Sequence, residues 1–135
     1  MAKIHLEVVN PERKVLSTEV DEVIAPGSLG LFGVRPGHTP FLTAIEAGEL
    51  SYKTEGQLRC YAVGGGFVEV LNDQVTVLAD TAEAQNEIDL ERARRAAEDA
   101  KKRLAALTGT DPEQKIQKAR AQRAAARISV ATRRR

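Results

Sequence analysis

Along the first 80 positions, apolar residues come in short runs of five to seven, broken by glycine, proline and Asn/Asp signals. Runs over 4–9, 20–25, 29–34, 41–45, 48–54, 57–63, 66–70 and 74–78 are each predicted to be a β-strand. Turns are expected at Asn10-Pro11, Pro26-Gly27, Pro36-Gly37, Thr54-Glu55-Gly56 and Asn72-Asp73. Val75, Val77 and Ala79 alternate with Thr76 and Leu78, the period of a strand. Around Cys60–Val63 both faces are apolar, which suits a central strand. Many short strands at close spacing point to a sandwich or barrel rather than a parallel sheet with crossover helices.

The period changes after residue 81. Ala93, Ala97, Ala100, Leu104 and Leu107 follow the four-three spacing of one helical seam. Asp89 reads as the N-cap or a first-turn acid of a helix running to about Leu107. Thr108-Gly109-Thr110-Asp111-Pro112 reads as stop, turn and restart, with Gly109 ending one helix, Asp111 capping the next and Pro112 opening it. The second helix is expected to run to about Ala131, with Ala121, Ala124, Ala125 and Ile128 as its stripe. A seam of alanines buries little area at about 25 cal/mol per Å², so the hairpin is expected to be weakly held and mobile.

Composition sharpens this division. All five aromatic residues (Phe32, Phe41, Tyr52, Tyr61 and Phe67) precede residue 81, as do nine of the ten glycines. Residues 1–80 carry a net charge of −5 and residues 81–135 a net of +6. Two domains are expected: a β-sandwich over 1–86 and an antiparallel two-helix hairpin over 87–135, a segregated α+β chain.

Several function classes lose their usual support. The chain has one cysteine, Cys60, and two histidines, His5 and His38, too few for an internal disulfide or a cysteine-based zinc site. Phosphate-loop and dinucleotide fingerprints are missing, and Gly64-Gly65-Gly66 precedes a strand rather than a helix, so it reads as a bulge or close backbone approach. No apolar run is long enough to span a membrane, and the N-terminus has no secretory pattern, so a cytosolic, unprocessed chain is expected. No catalytic residue and no metal ligand is expected. His38, in the turn cluster Gly33-Val34-Arg35-Pro36-Gly37-His38-Thr39-Pro40, reads as a structural or interface residue.

Arginine spacing is the most informative feature of the second half. Arg92 and Arg95 lie three apart on one helix, and Arg120, Arg123 and Arg127 lie three and four apart on the other. Folded as a hairpin, the two faces could hold a polyanion, since guanidinium forks match phosphate oxygens. The alternatives are a solvated basic face, or a β-domain whose basic helical tail, ending in Arg133-Arg134-Arg135, binds nucleic acid. Aromatics for base stacking are not interleaved with that tail.

Four segments together resemble the ε subunit of bacterial F-type ATP synthase over essentially the whole chain. They are Ile4-His5-Leu6-Glu7-Val8-Val9-Asn10-Pro11, the loop from Gly33 to Pro40, Gly64-Gly65-Gly66-Phe67-Val68-Glu69-Val70, and Val75-Thr76-Val77-Leu78-Ala79-Asp80-Thr81-Ala82. The resemblance implies a β-sandwich of about ten strands followed by two helices. It also implies a non-catalytic place on the central rotor stalk, against the γ subunit and the c-ring, reaching the membrane only through the complex, on its cytoplasmic face, without nucleic acid. No cofactor is required, and ATP enters as a regulatory ligand. ATP-binding members carry an Ile/Leu-Asp-x-x-Arg-Ala motif, which stands here as Ile88-Asp89-Leu90-Glu91-Arg92-Ala93, with an acid before it matched by Glu83 and two late arginines matched by Arg123 and Arg127. A further first-helix arginine of strong binders is matched here by Asp99. The extended helices of the family inhibit ATP hydrolysis against the catalytic α and β subunits, which makes Arg120, Arg123 and Arg127, with His38 on the loop, the expected partner interface.

Overall fold

The computed structural model describes residues 2–133. Eight strands, β1 (Ile4–Val9), β2 (Lys14–Val20), β3 (Glu22–Gly27), β4 (Gly30–Val34), β5 (Phe41–Thr54), β6 (Gln57–Leu71), β7 (Gln74–Ala79) and β8 (Ala82–Ala84), precede a 3₁₀ turn over Gln85–Glu87. Two helices follow, α1 (Leu90–Ala105) and α2 (Glu113–Thr132). The expected sandwich and hairpin are both present, in that order.

The strands form one continuous hydrogen-bonded sheet in the order β2-β1-β7-β6-β5-β3-β4, with β8 paired to β6. β1 and β7 run parallel, and the other neighbours are antiparallel. The sheet folds over itself, because Ile4, Leu6 and Val8 of β1 share one buried cluster with Val23 and Ala25 of β3 and Val34 of β4. Leu50, Val63, Val68, Val75 and Val77 complete that core.

Strand count is where sequence and structure differ in detail. The runs 41–45 and 48–54 are one 14-residue strand, and 57–63 and 66–70 are one 15-residue strand. Each long strand serves both layers, so eight elements do the work of about ten. β6 pairs with β8 through Tyr61–Val63 and with β7 from Gly66 onward. Gly64-Gly65-Gly66 is the bend between those pairings, with φ of 107° at Gly65 and 136° at Gly66. The expected bulge or close approach is therefore present. β2 was not expected. Its exposed and buried positions alternate poorly, and its pairing with β1 shifts register between Val8 and Val9. The expected Pro26-Gly27 turn falls two residues later, at Ser28-Leu29, because both residues still pair with β4. At the tips 54–57 and 71–74, Glu55 with Gly56 and Asn72 with Asp73 all have positive φ, the geometry of tight hairpin turns.

On the outer face of β1 and β2, His5 joins two carboxylates. Its Nδ1 is 2.8 Å from Glu19 Oε1 and its Nε2 3.3 Å from Glu7 Oε1, with Ser17 Oγ 3.1 Å from Nε2. Hydrogen bonding to Glu19, then to Glu7, raises the imidazole pKa above its ordinary 6.5. The folded-state pKa thus exceeds the unfolded one. Stability from this cluster is complete below about pH 6.5 and disappears as pH rises through the folded value. The stability difference between wild type and His5→Ala, read by urea unfolding, is expected to shrink between pH 5.5 and 8.5. Solvent exposure holds it to about 1 kcal/mol or less.

α2 has two buried sides, which the alanine stripe did not anticipate. Gln117 and Ala124 lie on the stripe of Arg120, whose guanidinium bonds Asp99 of α1. Ala126 and Val130 instead pack on Ala62 of β6, with Cys60 and Ile88 beside them. Ala125, expected in the seam, is exposed. Polar contacts fasten the same side to the sheet. Gln122 Nε2 donates to Glu46 Oε2 at 3.1 Å, and both Ser129 Oγ and Arg133 donate to Glu49. The hairpin is therefore docked on the sandwich through α2. Of the terminal arginines, Arg133 is in this contact, and residues 134–135 lie outside the described residues.

Candidate functional site

A cleft of about 890 Å³ opens where the helices meet one end of the sandwich. Its walls differ in charge. The helix side contributes Arg92, Arg95, Arg120, Arg123 and Arg127 against Asp89 and Asp99, and the sandwich side contributes Glu12, Asp80, Glu83 and Glu87. Helical spacing explains the first wall. Asp89, Arg92, Ala93, Ala96 and Asp99 follow i, i+3, i+4 steps on α1, and Arg120, Arg123 and Arg127 do so on α2. Local signals fix the frame. Asp89 Oδ1 accepts from the Arg92 backbone N–H at 3.0 Å, capping α1. Asp111 Oδ1 accepts from the Glu113 N–H at 2.9 Å and Pro112 follows it, as the capping pattern requires.

The arginines are not equivalent. Arg127 Nε donates to Glu83 Oε1 at 2.5 Å. Arg120 donates to Asp99 Oδ2, and Arg103 Nε donates to that same oxygen at 2.9 Å. Hydrogen bonds from Arg120 and then Arg103 hold the Asp99 carboxyl below its ordinary pKa. Among the described residues, Arg92, Arg95 and Arg123 make no ion pair. The Arg123 stem lies over Gly64 of β6, with Cδ 3.5 Å from where a Cβ would stand.

Of the residues expected to meet ATP, Glu83, Asp89, Arg92, Ala93, Arg123 and Arg127 share this cleft. Arg120 joins them there. Ile88 does not line it and packs against the Ala62, Ala126 and Val130 cluster. His38 is elsewhere. Its Nδ1 donates to the Thr39 carbonyl at 2.7 Å, and its ring lies 6.0 Å from that of Phe41. The neighbouring Gly37 N–H bonds Asp73 Oδ1 at 2.7 Å, at the start of β7. Asp80 of the cleft stands past the other end of β7, a strand of six residues and so about 20 Å long. Sequence reasoning missed Asn10, Pro11 and Glu12 of the β1–β2 turn, which also line the cleft. Nothing in their local pattern marks them, because they reach it only through the tertiary fold.

Among the described residues no helix is long and apolar enough to cross a membrane, and no cluster of His, Cys, Asp and Glu could hold a metal ion. A β-sandwich with a docked helical hairpin and a polarised cleft between them defines a two-part, segregated α+β protein. Residues 3–85 match the family model for the ATP synthase delta/epsilon chain β-sandwich domain. The chain is 56% identical to the ATP synthase epsilon chain of Anaeromyxobacter sp. (strain K), over 95% of this chain and 97% of that one. It is 49% identical to that of Myxococcus xanthus, over 97% and 96%. In fold it is similar to a chain in the cryo-EM structure of the Euglena gracilis mitochondrial ATP synthase. The TM-score is 0.78 at 23% identity, covering 90% of this chain and 77% of that one. The chain belongs to the ATP synthase epsilon chain family, a non-catalytic subunit of that enzyme.

Proposed function

We infer that this chain is a central-stalk subunit that couples proton transport to ATP synthesis and restrains ATP hydrolysis through its helices, with ATP as the signal. Residues 1–86 dock on the γ subunit and c-ring at the cytoplasmic face of the membrane, and residues 87–135 form the regulatory unit. Exposed apolar side chains supply the docking surface. Leu29, fully exposed at the β3–β4 tip, stands with Leu31 on one hairpin. Leu42, Phe67 and Leu78 share the outer face of β5, β6 and β7, where Phe67 opposes Leu78. Such patches mark interaction sites. His38 belongs to the same docking end through Phe41, which also stacks edge-on with Phe32 at 5.4 Å.

One observation carries the nucleotide reading: Arg92 and Arg123, from different helices and without an ion pair among the described residues, face one cleft lined by both helices. Arg92, Arg123 and Arg127 take phosphates. Glu83 and Asp89 accept from ribose hydroxyls or the adenine amino group, the donors a nucleoside offers to an acidic wall. When the hairpin opens, Arg120, Arg123 and Arg127 become available to an acidic segment of the catalytic β subunits. Calorimetric titration of the full chain with ATP is expected to show one site without hydrolysis. Arg92→Ala is expected to weaken it by about 1.5–3 kcal/mol, the range for hydrogen bonds to charged groups. Absence of heat at millimolar ATP, or a variant that binds as wild type does, defeats the nucleotide reading.

A further inference from the structure

Two ion pairs close the ends of the arginine wall and leave its middle free. At one end Glu83 holds Arg127, and at the other Asp99 holds Arg120. Between them stand Arg92, Arg95 and Arg123, all unpaired among the described residues. Arg95 precedes Asp99 by one turn of α1, and Arg123 follows Arg120 by about one turn of α2, so both line the cleft on the faces that carry the Asp99–Arg120 pair. From Arg92 to Asp99 the helix rises about 10 Å. Asp99 is an anion already seated in a cleft of cations, with two arginines on one of its oxygens.

We propose that Arg95 is a further phosphate-contacting residue and that Asp99 is an internal competitor, setting how many phosphates the cleft accepts. This rests on the nucleotide reading above. With the nucleoside at the Glu83 and Asp89 end, the phosphate chain runs towards the hairpin turn. Arg92, Arg123 and Arg127 meet its first phosphate, and Arg95 the second. A terminal phosphate then arrives at Arg120, which the Asp99 carboxylate occupies. Binding it means displacing or repelling that carboxylate, a built-in penalty on the longest chain. The cleft thereby distinguishes nucleotides by phosphate number, using side chains that touch no base.

The test is calorimetry on the full chain with ATP, ADP and AMP, for wild type, Arg95→Ala, Asp99→Asn and Arg94→Ala. Arg94 is exposed on α1 and does not line the cleft, so it controls for loss of net charge. Circular dichroism confirms that each variant is folded. Arg95→Ala is expected to weaken ATP about tenfold, and Arg94→Ala less than about twofold. Asp99→Asn is expected to raise the ratio of ATP to ADP affinity about fivefold. A general loosening of the hairpin would move all three nucleotides together, so the ratio isolates phosphate number. Equal losses in Arg94→Ala and Arg95→Ala overturn the role of Arg95. An unchanged ratio in Asp99→Asn overturns the role of Asp99, while wild-type ATP binding that survives leaves the nucleotide reading standing. ATP binding that appears only in Asp99→Asn supports the competitor and defeats ATP as a ligand of the wild-type chain. No binding in wild type or any variant overturns both readings.

Discussion

Truncation after Asn86 is expected to raise the ATP hydrolysis rate of the assembled enzyme several-fold, with the shortened subunit still bound. The expectation begins with reach. α1 has 16 residues and α2 has 20. With the connecting turn straightened, the stretch from Asp89 to Ala131 extends roughly 60 Å at 1.5 Å per residue, enough to run far up alongside γ. The closed arrangement is held by modest forces. Its seams are largely alanine, and Gln117 Oε1 is buried without a hydrogen-bond partner among the described residues. An unsatisfied buried acceptor costs about 1–3 kcal/mol, which favours opening. Against it stand the Ala126 and Val130 contact with Ala62 and the polar ties to Glu46, Glu49 and Glu83. Closed and open states that differ by a few kcal/mol can be exchanged by one ligand. ATP at 100 times its dissociation constant, bound only to the closed state, favours that state by about 2.7 kcal/mol. Steady-state hydrolysis by enzyme reconstituted with full-length or truncated chain measures the effect. Retention of the fragment on the complex is checked in the same samples. An unchanged rate with the fragment bound leaves the helices without a braking role. Loss of the fragment from the complex, while it remains folded, contradicts docking by residues 1–86.

The second large effect is on the sandwich. Gly66→Ala is expected to destabilise the fold by about 4 kcal/mol or more, among the severe outcomes for one substitution. A Cβ at Gly66 would stand 1.9 Å from the Leu78 carbonyl oxygen and 3.0 Å from Ala79 Cα, all backbone of the paired strand β7. The φ of 136° is also one that L side chains rarely adopt. Relief requires separating β6 from β7 at the bend where β6 changes partners. Gly37→Ala is the matched control, with φ of 86° and open space around its Cβ, and is expected to cost about 1 kcal/mol. Urea midpoints followed by circular dichroism compare the two. Equal losses would mean that the strand approach at Gly66 does not matter and that φ alone sets the cost.

The elements most legible in the sequence are those decided by near neighbours. Asn72-Asp73 and Gly56 announce hairpin turns because the backbone there needs positive φ, and asparagine, aspartate and glycine tolerate it. Asp89, Asp111 and Pro112 announce helix starts because a cap acts within three residues. Spacing placed Arg92 with Arg95, and Arg120 with Arg123 and Arg127, because a helix brings residues three and four apart onto one face. The order of strands before helices and both arginine faces follow from such short-range rules.

Long-range pairing decided the rest. That 41–45 and 48–54 form one strand depends on β6, which pairs with β5 from Thr54↔Gln57 to Phe41↔Val70. β2 is a strand because β1 supplies its partner, although its own alternation is weak. The second buried face of α2 exists because Ala126 and Val130 meet Ala62, more than sixty positions earlier. Ser129 meets Glu49 across 80 positions, and Arg127 meets Glu83 across 44. Five arginines on two faces can be read along the chain, but which are neutralised depends on where distant carboxylates come to rest. Period and capping act over one turn of chain. Ion pairing in a cleft is settled by the packing of elements whose separation along the chain carries no information about their distance in space.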